Sequence, residues 1–257
     1  AAAVVGLAAH PIDPASRELL TELLGGADRT LQIEALRAIR KIPTGEFDME
    51  LNVALTDAMS PVLRKPDAEL TDDDRDLAEQ LVRTLKATGH GVPPKLEQRQ
   101  SSRPADLDGW RQTLKQPADA AAGRRVFFHS ASASCYRCHT VSGRGGRIGP
   151  ELSKVAGTLS PEKLVQSIIE PSAEIAPQFA VWTFVLDSGK SHSGLILRQD
   201  QDGTLEIGTA DGEIVALDTS AIDERVAQKT SLMPNELVDQ LTVREFRDLI
   251  AYLQTLK

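Results

Sequence analysis

Two cysteines stand three residues apart, with a histidine directly after the second, in Cys135-Tyr136-Arg137-Cys138-His139. They are the only cysteines among 257 residues. Cys-x-x-Cys-His is the attachment pattern of a c-type haem, in which two thiols add to the vinyl groups and the adjacent imidazole coordinates the iron. A random cysteine pair followed by histidine at this spacing arises in about 1 of 6,500 chains of this composition, so coincidence is a poor account of it. A zinc site would need two more ligands, and the other histidines are scattered at His10, His90, His129 and His192. A redox dithiol of the thioredoxin kind would need a βαβ setting, whereas the flanking sequence is helical and then glycine-rich. A plain disulfide is the remaining alternative.

A haem iron takes a second axial ligand, usually a thioether or an imidazole. The methionines are Met49, Met59 and Met233. Met49 and Met59 fall on expected N-terminal helices, where methionine is ordinarily core filler. His129, ten residues before His139, is expected at a helix end or on the surface, His192 on a solvated strand, and His10 and His90 at turns.

The elements that must position the motif can be read from periodicity. Residues 1–9, 15–24, 30–41, 46–60 and 72–88 predict consecutive amphipathic helices separated by Pro, Gly or Asp-rich turns. Leu19, Leu20, Leu23 and Leu24 make one apolar face; Leu31, Ala35, Leu36, Ala38 and Ile39 make the next. Thr71 is the expected N-cap of the helix that opens on Asp72-Asp73-Asp74. Residues 89–104 are polar, rich in turn formers and without a period, and read as a linker that puts a domain boundary near residue 100. Helices then follow around 107–114, with Trp110, and 118–128, leading into the cysteine motif. Residues 178–228 switch to short β-type runs, punctuated by Asp187-Ser188-Gly189, residues 200–203 and Asp211-Gly212, and predict an antiparallel unit of four or five strands. A last amphipathic helix carries Phe246, Leu249, Ile250, Leu253 and Leu256. The fold class expected is mainly α with a small β insertion.

The second half resembles the class I c-type cytochromes. Gly123-Arg124-Arg125-Val126-Phe127-Phe128 resembles their N-terminal helix, Ile148-Gly149-Pro150-Glu151-Leu152 their Gly-Pro-x-Leu loop, and the helix with Tyr252-Leu253 their C-terminal helix, which crosses the first at the glycine. The resemblance implies that Pro150 accepts the proximal His139 Nδ1–H and that Met233, in Ser231-Leu232-Met233-Pro234, is the second iron ligand. Cys135, Cys138, His139, Pro150 and Met233 are then the haem-binding residues, with His139 and Met233 on the metal. From His139 to Met233 is 94 residues, and the 51 residues of 178–228 account for the excess over a minimal cytochrome. More narrowly, residues 105–257 look like the haem-binding domain at the C-terminus of large planctomycete and verrucomicrobial exported proteins, and residues 1–100 resemble the HEAT-type repeats that often precede it. The resemblance implies a fragment of such an architecture or a shorter relative.

The chain carries 29 basic and 37 acidic side chains, a net charge of −8, which argues against generic nucleic-acid binding. Residues 121–159 reverse that balance, with Arg124, Arg125, Arg137, Arg144, Arg147 and Lys154 against Glu151 alone, while residues 195–224 set Arg198 against eight carboxylates. Such asymmetry can steer a redox partner to the haem edge, or be two solvated faces. No apolar run reaches the ~20 residues of a membrane helix. No P-loop, dinucleotide fingerprint or assembled Ser-His-Asp set appears. The expected function is therefore a one-haem electron-transfer module rather than an enzyme. The alternatives are the haem domain of an exported dehydrogenase, taking electrons from a separate catalytic domain, and a haem-based sensor or peroxidase-like enzyme. Thioether attachment takes place outside the bacterial cytoplasm, so a periplasmic or other extracytoplasmic location follows from the same motif.

Overall fold

The computed structural model describes residues 13–129 and 132–257; the helix expected over residues 1–9, and His10, lie outside them. The chain divides into two compact units, one of residues up to 103 with Thr242–Arg244, the other of Pro104–Leu241 with Glu245–Lys257. Among the described residues no helix is long and apolar enough to cross a membrane.

The first unit is helical: α1 (Pro14–Gly25), α2 (Arg29–Ile39), α3 (Met49–Arg64), α4 (Asp72–Ala87) and the single turn α5 (Pro94–Glu97). Each of the first three starts at an aspartate whose carboxylate accepts backbone N–H groups of the first turn: Asp13 from Ser16, Asp28 from Thr30 and Leu31, Asp48 from Leu51. Asp48 therefore sets the start of α3 three residues later than the apolar pattern suggests. Thr71 and Asp74 close a reciprocal capping box on α4. Burial raises the Asp74 carboxyl, but hydrogen bonds from Lys65 and Thr71 outweigh it and hold the group at about 2.

Leu20, Leu24, Leu36, Ile39, Leu55, Leu81 and Leu85 fill the core of this unit. Three expectations are corrected here. Leu19 is exposed while Leu20 and Leu24 are buried, because a helix facing one neighbour hides a narrower stripe than four leucines span. Met59 is core as expected, but Met49, the first residue of α3, is 82% exposed. The segment 89–104 is no free linker: Leu96 is fully buried in the helical core, and buried Arg99 donates to the Val62 carbonyl and, at 2.6 Å, to Asp67. One leucine and one arginine are enough to strap a polar segment down, and they leave no period to read.

The second unit combines α6 (Leu107–Thr113), α7 (Ala120–Phe127), α8 (Pro161–Ile169) and, from Glu245 onward, α9 (Val243–Gln254) with two sheets. Gly123 marks the crossing of α7 and α9, since a Cβ there would fall 1.8 Å from the Asp248 carbonyl oxygen. Around the crossing, Phe127 meets Tyr252 edge to face at 5.8 Å, and Trp110 meets Phe246 at 4.7 Å. Asp248 also accepts the Asp119 N–H just before α7, at 2.8 Å.

The five-stranded antiparallel sheet comprises β3 (Val181–Leu186), β4 (Ser191–Gln199), β5 (Thr204–Gly208), β6 (Ile214–Asp218) and β7 (Ile222–Ala227), in the order β6-β5-β4-β3-β7. Its three hairpin turns fall where the Asp and Gly clusters predict, with Gly189, Gly203 and Gly212 at positive φ. β6 and β7 lie on opposite edges, ~19 Å apart if the sheet were flat. Yet Asp218 and Ile222 are joined by three residues, whose reach is at most ~14 Å. The sheet must roll up. Phe184, Leu205, Ile207 and Leu217 fill the inside of the roll. A second, two-stranded hairpin, β1 (Thr140–Val141) and β2 (Arg144–Gly145), follows the cysteine motif directly.

Candidate functional site

The pentapeptide folds as one tight turn of helix. Cys138 N–H and His139 N–H both donate to the Cys135 carbonyl, at 3.2 and 2.9 Å, so the cysteine side chains stand one turn apart on the same side. Ser134, at φ 51°, bends the chain into that turn from the left-handed region. The β1–β2 hairpin then reverses it through Ser142 and Gly143, both at positive φ, as a two-residue turn of primed type requires. This reversal brings the Gly-Pro loop back onto the motif: Ile148 N–H and Gly149 N–H both donate to the Cys138 carbonyl, at 3.0 and 2.8 Å.

That loop fixes the imidazole. His139 Nδ1 lies 2.9 Å from the Pro150 carbonyl oxygen. A carbonyl only accepts, so Nδ1 carries the proton and Nε2 keeps its lone pair. Gly149 lies against the ring, where a Cβ would stand 2.7 Å from Cε1 and 2.8 Å from Nδ1. Burial lowers the imidazole's pKa and favours the neutral ring; the bond to Pro150 partly offsets that shift and selects the Nδ1–H tautomer.

Both thiols are free and half-buried. Burial pushes Cys135 up to about 12 and pushes Cys138 up against the pull of Arg137. Neither sulfur has the depressed pKa on which a redox dithiol depends. Among the described residues no three His, Cys, Asp or Glu side chains gather to hold a metal ion. The set can offer two sulfurs for thioether bonds and one oriented imidazole nitrogen to an iron, and its donor chemistry fits a c-type haem.

Met233 lies in a loop tied by Ser231: Met233 N–H donates to Ser231 Oγ at 3.1 Å, and Ser231 N–H to Ser172 Oγ at 3.0 Å. Its neighbour Leu232 packs with Cys138, Phe179 and Leu197 around buried Ile148, Val181 and Leu195. One apolar cluster thus joins the cysteine turn, the Gly-Pro loop, the rolled sheet and the methionine loop. His129, expected at a helix end or on the surface, is at the end of α7 but buried, at 5% exposure. His192 sits half-buried on β4 opposite Phe184.

The rolled sheet enters this cluster through one face. Val181, Leu195 and Gly208 stand side by side across β3, β4 and β5, on the outer face of the roll. Ile148 presses on Gly208 closely enough that a Cβ there would meet it at 2.7 Å. Beside the cysteine turn, Arg124 and Arg144 stack on the Phe128 ring, at 5.1 and 4.4 Å from its centre, and Tyr136 lies 6.3 Å from it. No protein-family model matches the chain, and no curated protein matches it in sequence.

Proposed function

We propose that this chain is an electron-transfer protein carrying one c-type haem, bound through thioethers to Cys135 and Cys138 and ligated by His139 and Met233. The observation that carries the reading is the 2.9 Å bond from His139 Nδ1 to the Pro150 carbonyl, directly beside two free cysteines on one turn. An imidazole so held keeps its Nε2 lone pair for a metal.

When bound, the haem supplies reversible one-electron exchange between ferric and ferrous iron. Everything else is done by the chain. Pro150 orients the proximal imidazole, and Gly149 leaves room for the ring to lie flat on the loop. Ser231 and Ser172 hold the loop that offers the Met233 thioether. Were His139 and Met233 both to hold the iron, it would exchange electrons rather than bind a substrate, which favours electron transfer over the sensor or peroxidase alternative. Ile148, Val181, Leu195 and Leu232 pack with Cys138 and would make that side of a bound haem apolar, which would favour the reduced state.

In this reading α7 and α9, crossing at Gly123, are the terminal helices of a cytochrome c fold, the rolled sheet is an insertion in it, and α1 to α4 are HEAT-like helices. The arginines around Phe128 face a redox partner or a fused dehydrogenase domain, in the periplasm or another extracytoplasmic space. The test is expression with the c-type cytochrome maturation machinery, followed by acid-acetone extraction and intact mass. Haem retained by the protein is the expected result; haem released into the organic phase overturns the proposal.

A further inference from the structure

The two variable positions of the motif are Tyr136 and Arg137, and Arg137 reaches furthest. Its guanidinium donates to the carbonyl of Asp211, in the turn between β5 and β6. The next residue, Gly212 at φ +81°, lies flat along the arginine stem, where a Cβ would stand 3.4 Å from both Cβ and Nε of Arg137. On the neighbouring strand end, Gly208 receives Ile148. The sheet therefore touches the cysteine turn through Arg137 and the Gly-Pro loop through Ile148. Those two segments hold the two ends of the His139–Pro150 bond.

We propose that the rolled sheet is a clamp on the two loops that orient His139, with Arg137 and Gly208 as its positioning residues. A mere decoration would present a solvated outer face. Here that face is apolar at Val181, Leu195 and Leu197, where it meets Cys138 and Ile148, and it is stripped to a glycine where Ile148 enters. The arginine adds a charged donor to a backbone carbonyl, the stronger kind of hydrogen bond. Removing that donor frees the turn from one side and loosens the register in which Ile148 and Gly149 donate to Cys138. The redox consequence rests on the haem reading, because a wandering imidazole changes the iron's axial field; the clamp itself is a property of the polypeptide.

The test compares Arg137→Met, which keeps the stem and loses the donors, with Arg137→Lys, which keeps a donor, and with Gly208→Val, which wedges Ile148 away. Two quantities are read on the full chain: single-amide hydrogen exchange at Ile148 and Gly149, and the reduction potential of the haem-loaded protein. The clamp predicts about tenfold faster exchange at both amides in Arg137→Met and in Gly208→Val, with α1 to α4 unchanged. It predicts rescue by lysine and a displaced potential in the two loosened variants. Unchanged exchange in both Arg137→Met and Gly208→Val overturns the clamp. Faster exchange in a chain that never takes up haem supports the clamp and overturns the haem reading alone. Faster exchange with haem attached and an unmoved potential overturns the redox consequence.

Discussion

Replacing Gly123 by alanine tests the packing on which the second unit depends. The added Cβ would fall 1.8 Å from the Asp248 carbonyl oxygen and 2.3 Å from its carbon. An ordinary carbon–oxygen contact is ~3.3 Å or more, so α7 and α9 must part by about 1.5 Å. Asp248 lies in the middle of α9 and cannot turn its carbonyl away without breaking the helix. Gaps of that width forfeit much of the dispersion between facing side chains, here Phe127, Phe246, Leu249 and Tyr252, all 5% exposed or less. The gross loss is about 3–5 kcal/mol, against about 1 kcal/mol gained from the better helix propensity of alanine. A net destabilisation of about 2–4 kcal/mol follows. Urea unfolding read by tryptophan fluorescence measures it cleanly, because Trp110 and Trp182 are the only tryptophans and both belong to the second unit. Gly157→Ala, in the same unit, is the control: nothing lies within 4 Å of its added Cβ, and it should be nearly neutral. A Gly123→Ala midpoint within about 0.5 kcal/mol of the parent would refute the close crossing.

The same logic applies at Gly149, where the Cβ of alanine would push the His139 ring off Pro150; covalent haem yield should fall and the visible spectrum of the loaded protein should change, and an unaltered spectrum would reject the seating of the ring. Met233→Ala should abolish the far-red thioether-to-ferric-iron band and lower the potential, and an intact band would pass the ligand position to another residue, His129 first. Asp74 has a lower pKa folded than unfolded, so its contribution of about 1–2 kcal/mol is complete above pH ~4 and is lost as the pH falls through about 2. Acid titration of urea midpoints should therefore show a step that Asp74→Asn removes; an identical pH slope in the variant would reject it.

What could be read from the sequence was what is decided within a few residues. The cysteine turn, the Thr71 cap and the Gly turns of the rolled sheet all depend on local backbone chemistry. The β1–β2 hairpin escaped because its strands are two residues long and Ser142, not a glycine, takes one of the positive-φ positions. Contacts across long separations left fainter marks. Leu96 and Arg99 are single residues in a polar stretch, and Met49 sits at a helix start where the apolar stripe has not yet begun. A glycine shows in sequence only as a missing side chain, while the group that needs the space, Asp248 for Gly123 or Ile148 for Gly208, lies far along the chain.

The docked face of the sheet nevertheless had a signature of its own. A strand with one wet face alternates, and β5 does so, with buried Leu205 and Ile207 facing the roll. β4 breaks the rule at Leu195-Ile196-Leu197: Ile196 turns inward to the roll, while Leu195 and Leu197 turn outward. An uninterrupted apolar run in a short strand means that both faces are covered. With the inner face already occupied by the roll, the outer face required a second body, and Ile148 of the Gly-Pro loop together with Cys138 supplies it. Those three residues therefore encode, within one strand, the attachment of the sheet to the loops that hold His139.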